Sequence, residues 1–360
     1  MSRVGLSADF HIANHRVLGG PVVAGVNLRC RLIGETARRA FQVAADDGCD
    51  YFAILGDIFD NGKPSPEVIG VMADAIASAS IPIVVIPGNH DCSSDEVGNH
   101  ALAALRKVAN CRVVDEPAYL PDGVILAPFS PRPPVEYFTE LLKRDGDGWW
   151  HLLGHVGIVG PTTSEWLTTG RNIITVEQIS KLPPNLRAFA SGDFHQHVVH
   201  EERIGAVNIV QVGALCQANF GDPLEVGRIC VLDTDVGSIN KILHVPGPRF
   251  VTLNFPELLA YVHGDGLAVL GLDTDECDLF LSVNCADEKE QGAAAAFLGA
   301  FENCGWKTEI LPSAKAASEV VEAVRGAVQV EEALGEWAAA QPVPEAVKQR
   351  ATQIAEECLR

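Results

Sequence analysis

The sequence lacks the features that mark membrane proteins, secreted proteins and cysteine-rich zinc proteins. It contains no run of about 18 apolar residues, so we expect no segment that spans a membrane. Its start, Met1–Phe10, lacks the long apolar stretch of a secretory signal. The 10 cysteines are scattered singly, without a Cys-x-x-Cys pair, which favours reduced, buried thiols. We therefore expect a cytoplasmic protein that does not contact a membrane.

Positive charge is scarce. The chain has 27 Lys and Arg residues against 47 Asp and Glu residues, a formal net charge of −20. This acidity argues against a protein that coats nucleic acid or an anionic membrane through bulk electrostatics. A polyanionic substrate would have to be attracted locally, by a metal cluster or a small basic patch.

The composition is that of a folded protein with a substantial core. Apolar residues make up 47% and charged residues 21% of the 360 residues, which excludes a disordered, collagen-like or coiled-coil chain. The length favours two domains, or one large domain with an appendage, and we expect a boundary at Pro246–Pro248. We predict a catalytic domain over 1–246, a small α+β capping module over 247–315 and terminal helices over 316–360.

Strand and helix patterns alternate in the first third of the chain. Short apolar stretches predict strands over Val4–Ala8, Tyr51–Leu55 and Ile81–Ile86, with helices over Leu28–Asp47 and Pro66–Ser80 between them. This alternation predicts a parallel α/β sheet.

The pattern then changes to closely spaced strands, which predict a second sheet packed on the first, with one antiparallel edge. A helix over 101–108 precedes them. In the capping module we predict a β-α-β unit, followed by helices over 319–341 and 345–359. The strands expected in the second sheet cover 112–114, 124–127, 149–153, 186–191, 207–212, 228–233 and 239–245.

Residues that can bind metal ions follow the ends of five predicted strands. Loops beyond the carboxyl ends of strands in an open α/β sheet converge on one crevice, so we expect these side chains to meet. A glycine precedes the polar residue in every motif but the first, which lets the backbone turn sharply and approach an ion. The motifs are Asp9-Phe10-His11, Gly56-Asp57, Gly88-Asn89-His90-Asp91, Gly154-His155 and Gly192-Asp193-Phe194-His195-Gln196-His197.

The donor types indicate the kind of metal site. Carboxylate, imidazole and amide donors without thiolate suit ions such as Mn²⁺, Fe²⁺ or Zn²⁺. Seven or eight donors are too many for one such ion. They suit two ions about 3.5–4 Å apart that share a carboxylate, the arrangement used for in-line phosphoryl displacement.

Each motif alone is weak evidence for a site. An isolated Asp-x-His is more often part of a surface loop, and Gly-Asp after a strand is more often a turn, because Asp tolerates turn geometry. Asn-His-Asp is more often a solvated cap. The five motifs together, in order and each after an apolar strand, favour a joint site over coincidence.

The ordered motifs resemble those of the calcineurin-like metallophosphoesterase superfamily. Within it they most resemble the SbcD-type DNA-repair exonuclease subunits of bacteria and their phages, over roughly residues 3–235. Residues 54–66, 82–91 and 211–221 strengthen the resemblance. It implies a four-layer α-β-β-α sandwich and two divalent metal ions, with Mn²⁺ preferred and Fe²⁺, Zn²⁺ or Mg²⁺ as alternatives.

The resemblance also implies roles for the matched residues. His90 would lie beside the phosphate as an acid or charge stabiliser for the departing oxygen. Asp60 stands where many relatives have a second histidine and is a candidate catalytic helper. The implied metal ligands are Asp9 and His11 on the first ion, Asp57 between the two ions, and Asn89 and His155 on the second ion.

The last motif departs from the Gly-His-x-His of the family, because Asp193 stands where the first histidine is expected. Read without a gap, the motif gives Asp193 to the second metal and His195 to the first. A shifted alignment would use His195 and His197 as ligands and leave Asp193 outside the ligand set. We favour the ungapped alignment because 188–192 has the pattern of a strand and turn.

Few basic residues are available to hold a polyanion near this crevice. Arg16 and Lys63 are the candidate substrate-binding residues, although single basic residues more often belong to an ordinary surface. The other basic candidates are His15, Arg106, Lys107, His200 and Arg203.

The leading interpretation is a DNA phosphodiesterase, an exonuclease or endonuclease of repair or recombination that uses two-metal in-line attack. A phosphatase or small-molecule phosphodiesterase of the same superfamily is the first alternative. A catalytically silent scaffold is the second, and the complete ligand set argues against it.

The resemblance also implies protein partners. A coiled-coil ATPase of the SbcC type would dock on the terminal helices, and a homodimer is a further expectation. The alternative for these helices is that they only cover the chain's own core.

Overall fold

The computed structural model describes residues 2–16, 18–94, 98–143, 148–161, 163, 172–200, 207–222, 227–260, 279–298 and 305–310. The predicted terminal helices over 319–341 and 345–359 lie outside these residues. A 3₁₀ helix covers Ala101–Lys107, where the sequence predicts a helix. The α-helices are α1 (Leu28–Asp46), α2 (Pro66–Ala77), α3 (Pro134–Leu142), α4 (Val176–Ser180), α5 (Phe255–Ala260) and α6 (Glu288–Leu298).

Nineteen strands are described, of which the shortest hold two residues. They are β1 (Arg3–Ser7), β2 (Val22–Val23), β3 (Val26–Asn27), β4 (Tyr51–Leu55), β5 (Ile83–Ile86), β6 (Cys111–Val113), β7 (Ala118–Tyr119), β8 (Val124–Ala127), β9 (Trp150–His155), β10 (Gly157–Val159), β11 (Ile173–Thr175), β12 (Leu186–Gly192), β13 (Val198–His200), β14 (Asn208–Gln211), β15 (Arg228–Asp233), β16 (Ser238–His244), β17 (Arg249–Asn254), β18 (Leu279–Cys285) and β19 (Gly305–Ile310).

The first large sheet has the strand order β16-β15-β1-β4-β5-β6. Strands β1, β4, β5 and β6 are parallel, as the alternating pattern predicts for the first three. Strands β15 and β16 continue the sheet with antiparallel pairing. The prediction that β6, β15 and β16 belong to the second sheet is therefore wrong. Periodicity identifies an apolar strand, but the choice of neighbour is set by long-range packing that periodicity does not encode.

The second large sheet has the strand order β13-β14-β12-β9-β8-β7. Its central strands β14, β12, β9 and β8 are parallel. Both edge strands, β13 and β7, are antiparallel to their neighbours, whereas one antiparallel edge was expected. A two-stranded parallel pair, β10 and β11, lies beside this sheet.

Side-chain alternation along the strands produces four layers. In β8, Val124 and Leu126 pack in the cluster between the two sheets, whereas Ile125 and Ala127 face the cluster that contains α3 and α4. On the other side, alternate residues of β4 and β5 pack against α1 and α2. Because successive strand residues point to opposite faces, each sheet buries both faces. The chain thus forms an α-β-β-α sandwich.

A smaller unit follows the second sheet. Strands β17, β18 and β19 form a parallel sheet that packs with α5 and α6 around its own core. The unit contacts the sandwich where Phe250 and Phe280 pack with Leu28 and Leu32 of α1. The guanidinium of Arg29 lies 4.6 Å from the centre of the Phe250 ring. The described elements of this unit follow the order β17-α5-β18-α6-β19.

Two further expectations concern sulfur and membranes. Seven cysteines of the described part are free thiols, and five of them are buried. Within the same part, no helix has both the length and the apolar character needed to cross a membrane.

Candidate metal centre

The site lies where the carboxyl ends of five strands meet. Strands β1, β4 and β5 of the first sheet and β9 and β12 of the second end at the same edge of the sandwich. Close packing here requires glycine at two positions. A Cβ on Gly56, whose φ is +90°, would lie 2.3 Å from Nδ1 of His155, and a Cβ on Gly88 would lie 2.2 Å from Oδ1 of Asp57. Because these two glycines have no Cβ, the polar side chains have room to approach one another.

Seven predicted ligand residues are brought together at this edge, and Asp57 lies at the centre. Its Oδ2 is 3.3 Å from Nε2 of His155 and 3.9 Å from Nε2 of His11. Asp9, Asp57 and His155 are buried, and they offer ligand atoms within 4.8 Å of one another. The full set is Asp9, His11, Asp57, Asn89, His155, Asp193 and His195.

The seven residues fall on two sides of Asp57. On one side, Nε2 of His195 lies 3.0 Å from Nε2 of His11. On the other side, Nε2 of His155 lies 2.9 Å from Oδ1 of Asn89 and 3.5 Å from Oδ1 of Asp193. Asp9 links the two sides of the cluster. Both of its carboxylate oxygens lie 3.1 Å from the amide nitrogen of Asp193 and accept its hydrogen.

The backbone is held in an uncommon conformation at these residues. Among the described residues, six other than glycine have positive φ. Such conformations cost energy and concentrate at functional sites. Four of the six belong to the cluster: Asp9 (φ 54°), His11 (φ 45°), Asp57 (φ 51°) and Asp193 (φ 97°).

The charges of the cluster shift the pKa values of its members. Burial raises the pKa of Asp9 to about 6, against the opposing charge of His155. Burial also acts to raise the pKa of Asp57, but the imidazoles of His155 and His11 hold it well below its usual range. Burial disfavours a charged His155, yet the carboxylates of Asp57 and Asp193 raise its pKa well above the ordinary value. The cluster is thus a strongly negative environment that favours cations.

The hydrogen bonds of the histidines show that the donor set fits divalent ions. Nδ1 of His155 lies 2.7 Å from the carbonyl oxygen of Leu55, and a carbonyl only accepts, so Nδ1 carries the hydrogen. In a neutral His155, Nε2 then presents a lone pair to the oxygens of Asn89, Asp57 and Asp193. Lone pairs that face one another need a proton or a metal ion between them. The carboxylate, imidazole and amide donors are those that suit Mn²⁺, Fe²⁺ or Zn²⁺.

His90 and Asp60 lie at the outer side of the cluster. The His90 ring is edge-on to the His11 ring, with centroids 4.8 Å apart, and its Nδ1 is 3.0 Å from the carbonyl oxygen of Asp60. The amide of His90 donates to Oδ1 of Asp57. The carboxylate of Asp60 is 3.6 Å from Nδ1 of His11, just beyond hydrogen-bond length. Both candidate catalytic residues therefore contact the cluster.

Two carboxylates for which the sequence predicted no role hold the cluster in place. Asp222 accepts a hydrogen bond from Nδ1 of His195 at 3.0 Å and one from the amide of Ala218 at 2.6 Å. Burial acts to lower the pKa of His195, but this bond to Asp222 raises it to about 9. Asp222 directly follows the Phe-Gly pair at 220–221, which is the signal that marks it.

The second such carboxylate is Asp91, the last residue of the third motif, which is fully buried. Its oxygens accept hydrogen bonds from the amides of Phe59 at 2.8 Å, Gly88 at 3.0 Å and Ile58 at 3.3 Å. Burial and the charge of Asp57 raise the pKa of Asp91 to about 7. Asp91 thereby ties the loop after β5 to the loop after β4.

His197 lies apart from the cluster. Its Nδ1 is 3.2 Å from the carbonyl oxygen of Val212 and 3.6 Å from Sγ of Cys230. Its other ring nitrogen, Nε2, is buried and makes no hydrogen bond with the described residues. The structure therefore groups His195 with Asp193 and leaves His197 out of the group.

The basic candidates have mixed placements. Arg16 and Lys63 are exposed, as is Lys107. Nε2 of His15 is 3.1 Å from the carbonyl oxygen of His11. Arg106 is engaged in an ion pair with Asp115. The side chain of His200 and all of Arg203 lie outside the described residues.

A dinuclear donor set at the strand ends of an α-β-β-α sandwich defines the class of the protein. The sequence profile of the calcineurin-like phosphoesterases matches residues 3–197. The chain belongs to this family. Its members are metallophosphoesterases, so the chain is a metallophosphoesterase hydrolase. No curated protein sequence matches the chain.

Several solved structures are similar to the chain at low sequence identity. The protein TT1561 of Thermus thermophilus is 14% identical, with a TM-score of 0.44 over 68% of this chain and 98% of that one. A dimetal phosphatase from Danio rerio is 12% identical, with a TM-score of 0.40 over 59% and 87%. Nuclease MPE of Pseudomonas putida is 19% identical, with a TM-score of 0.28 over 63% and 83%. These similarities do not discriminate between a phosphatase and a nuclease.

Proposed function

We propose that this chain is a metal-dependent phosphodiesterase that hydrolyses the phosphodiester bonds of DNA. The observation that carries the proposal is the convergence of imidazole and carboxylate groups on the buried Asp57, from the ends of several strands. His11 and His195 lie on one side of Asp57, and His155 lies on the other. A shared carboxylate between two sets of donors is the pattern of a two-metal phosphoesterase site.

The contacts support a division of the ligands between two ions. His195 is beside His11, and Asp193 is beside His155, which supports the ungapped alignment of the last motif. We assign Asp57 to both ions. The first ion is assigned Asp9, His11 and His195, and the second is assigned Asn89, His155 and Asp193.

The chain's own residues prepare the site for this chemistry. When bound, two divalent ions lower the pKa of a water molecule toward neutrality and offset the charge on phosphate oxygens. Asp222 and the carbonyl oxygen of Leu55 fix the tautomers of His195 and His155, so that each directs Nε2 into the site. Such orientation keeps the donors in place without rearrangement during the reaction.

We assign His90 as the acid that donates a proton to the departing ester oxygen. Its Nδ1 donates to the carbonyl oxygen of Asp60, which fixes the ring and leaves Nε2 to carry the proton that the leaving oxygen takes. The His90 side chain is exposed, so a polymeric substrate has access to it. Asp60 acts through His90 and His11 and is assigned a positioning role.

The choice of DNA rests on two supports. Residues 54–66 and 211–221 resemble the SbcD-type subunits, and the second stretch leads into Asp222, which contacts His195. The open side of the site at His90 suits a long substrate better than a closed pocket would. Manganese is the proposed metal because the mixed oxygen and nitrogen donor set suits it.

The test compares three substrate classes with one metal. The purified protein is analysed for bound metal, loaded with Mn²⁺ and assayed on linear and hairpin DNA, on bis(p-nitrophenyl) phosphate and on p-nitrophenyl phosphate. We expect hydrolysis of DNA and of the diester, with little hydrolysis of the monoester. Hydrolysis of the small diester alone, or of the monoester alone, would contradict the DNA assignment. A metal-loaded protein with no hydrolysis at all would indicate a silent scaffold.

The partner implied by the resemblance remains part of the proposal. We propose that a coiled-coil ATPase supplies the positive surface that this acidic chain lacks, and that it binds residues 316–360. Co-purification of the ATPase with the full chain, and its loss when residues 316–360 are deleted, is the expected result. Undiminished association of the shortened chain would contradict this docking site, and gel filtration of the full chain tests the homodimer.

A further inference from the structure

A cavity of about 520 Å³ is lined by residues from 14–16 and 18–27 and by Trp306 of the C-terminal module, and it adjoins the metal centre at His15. His15 lines it, and Nε2 of His15 is 3.1 Å from the carbonyl oxygen of His11. Trp306 of β19 lines the opposite side. A molecule held at the metal centre through a phosphate therefore has a cavity beside it for the rest of its structure. The volume lies in the range of ordinary ligand pockets.

The side of the cavity formed by residues 14–16 and 18–27 is fixed by its own hydrogen bonds. Oδ1 of Asn14 accepts from the amide of Asn27, and the side-chain amide of Asn14 donates to Gly25. The side chain of Asn27 donates to the carbonyl oxygen of His15 and accepts from the amide of Cys30 at the start of α1. These amides are used internally, so recognition of a ligand falls to the other lining groups.

The charge of the lining differs from that of the chain as a whole. None of the described residues that line this cavity is Asp or Glu, although the chain has 47 of them. Arg16 also lines it and is exposed, and it makes no ion pair with a described carboxylate. A second cavity of about 310 Å³, by contrast, is lined by Asp115, Glu116 and Glu140. The first cavity is therefore suited to an anionic ligand.

Trp306 offers the aromatic surface of the cavity. Its side chain is half-buried, and part of it packs against the core of the C-terminal module. A partly packed indole has a fixed orientation and presents a flat surface at small cost in side-chain entropy. Stacking of a base on such a ring tightens binding by about tenfold or more, whatever the base.

We propose that this cavity binds the nucleoside unit next to the phosphate under attack, with its base stacked on Trp306 and a flanking phosphate paired with Arg16. The proposal deepens the proposed function, on which it rests, because it names an unstacked nucleotide of a DNA strand as the unit recognised. It also gives the C-terminal module a direct role in substrate binding. The expected base preference is weak, since stacking is tolerant of sequence.

The first experiment compares two esters with the same leaving group. Thymidine 3′-(p-nitrophenyl phosphate) carries a nucleoside, and methyl p-nitrophenyl phosphate carries none. With Mn²⁺ present, we expect Trp306→Ala to raise the ratio of the thymidine-ester KM to the methyl-ester KM about tenfold. Trp306→Phe should restore most of the ratio, because it keeps an aromatic ring. Trp149→Ala is the matched control, since Trp149 is exposed and stacks on Arg187 elsewhere in the fold.

The second experiment measures binding without catalysis. In EDTA, titration of the full chain with dTMP and with thymidine is followed by ligand-observed NMR. We expect Trp306→Ala to weaken both ligands about tenfold, and Arg16→Gln to weaken dTMP but not thymidine. This readout does not depend on metal or turnover, so it tests the cavity even if the wild-type chain hydrolyses no diester.

The outcomes separate this proposal from the proposed function. A wild-type chain that binds dTMP through Trp306 but cleaves no phosphodiester would support the cavity and overturn the DNA hydrolase. If Trp306→Ala leaves the ratio of the two KM values unchanged, the cavity assignment is overturned and the proposed hydrolase activity is unaffected. Failure of dTMP to bind the wild-type chain in EDTA would also overturn it.

Discussion

The chain contains two units with parallel strands, and their strand ends differ in how they use carboxylates. In the sandwich, Asp9 and Asp57 follow β1 and β4, are buried and have positive φ. In the C-terminal module, Asp287 follows β18 in an exposed position. There Asp287 accepts a hydrogen bond from the amide of Glu290, and Glu290 accepts one from Ala286. The carboxylates of the sandwich are crowded among imidazole rings, whereas Asp287 caps a helix.

This difference shows what a parallel sheet contributes to a site and what it does not. Both sheets bring strand ends to one edge. Within the described residues, only the sandwich buries several carboxylates beside imidazoles at this edge, and their negative charge raises the pKa of His155. Topology supplies the location, whereas the buried carboxylates and imidazoles define the metal centre. The predictions that follow test this contrast, from the largest expected effect to the smallest.

The largest effect is expected for the central carboxylate. Asp57→Asn keeps the size of the side chain but removes the charge that both sides of the cluster share. We expect Mn²⁺-dependent diester hydrolysis to fall by roughly 1,000-fold. Asp287→Asn, at the strand end of the C-terminal module, is the matched control and should retain full activity. Near-normal turnover in Asp57→Asn would refute the bridging assignment.

Metal binding itself should stabilise the fold, because the ions bind the folded cluster and not the separated residues. At a Mn²⁺ concentration about 100 times the Kd, the free energy of unfolding should rise by about 2.7 kcal/mol. Differential scanning calorimetry with Mn²⁺ and with EDTA measures this difference. The increase should persist in Asp287→Asn and be largely lost in Asp57→Asn. An equal increase in both variants would indicate that the ions bind elsewhere.

Asp222 should affect metal binding without contacting the ions. Asp222→Ala removes the acceptor that fixes Nδ1 of His195, and loss of such a partner lowers metal affinity by about 10–100-fold. Asp222→Asn keeps an acceptor oxygen, so its affinity should lie between those of Asp222→Ala and the wild type. Isothermal titration with Mn²⁺ resolves the two sites, and the weakening should fall mainly on one of them. Unchanged affinity at both sites would remove Asp222 from the centre.

Asp91 should matter for stability more than a capping carboxylate does. Asp91→Asn turns one of its two acceptor oxygens into a donor that faces backbone N–H groups. We expect a loss of about 2 kcal/mol in the free energy of unfolding, measured by urea denaturation in EDTA. Asp287→Ala, which loses only a helix cap, should cost about 1 kcal/mol. Equal losses of unfolding free energy in Asp91→Asn and Asp287→Ala would contradict the larger role of Asp91.

The sequence was most informative where local pattern and local structure coincide. The strand Tyr51–Leu55 matches β4 at both ends, and α1 begins at the predicted Leu28. The convergence of five motifs was also predictable, because the strand ends of a parallel sheet share an edge. Each of these inferences needs only a stretch of a few residues or one rule of topology.

The remaining features depend on contacts between distant residues. The pairing of β15 with β1 joins Asp233 to Arg3, and no periodicity in either strand encodes it. Asp222 shares no motif with His195, 27 residues before it. Trp306 is an isolated aromatic residue in the sequence, and it becomes notable only once it lines a cavity with His15 and Arg16.

The late return of the chain to β1 has a consequence for synthesis on the ribosome. Strand β1 is made first, but its antiparallel neighbour β15 is made more than two hundred residues later. His195 and its partner Asp222 also come late. Asp9, His11 and Asp57 therefore emerge long before the groups that complete the cluster. A nascent chain of the first hundred residues holds four of the seven residues of the metal centre, and the centre becomes complete only after the second sheet has been made.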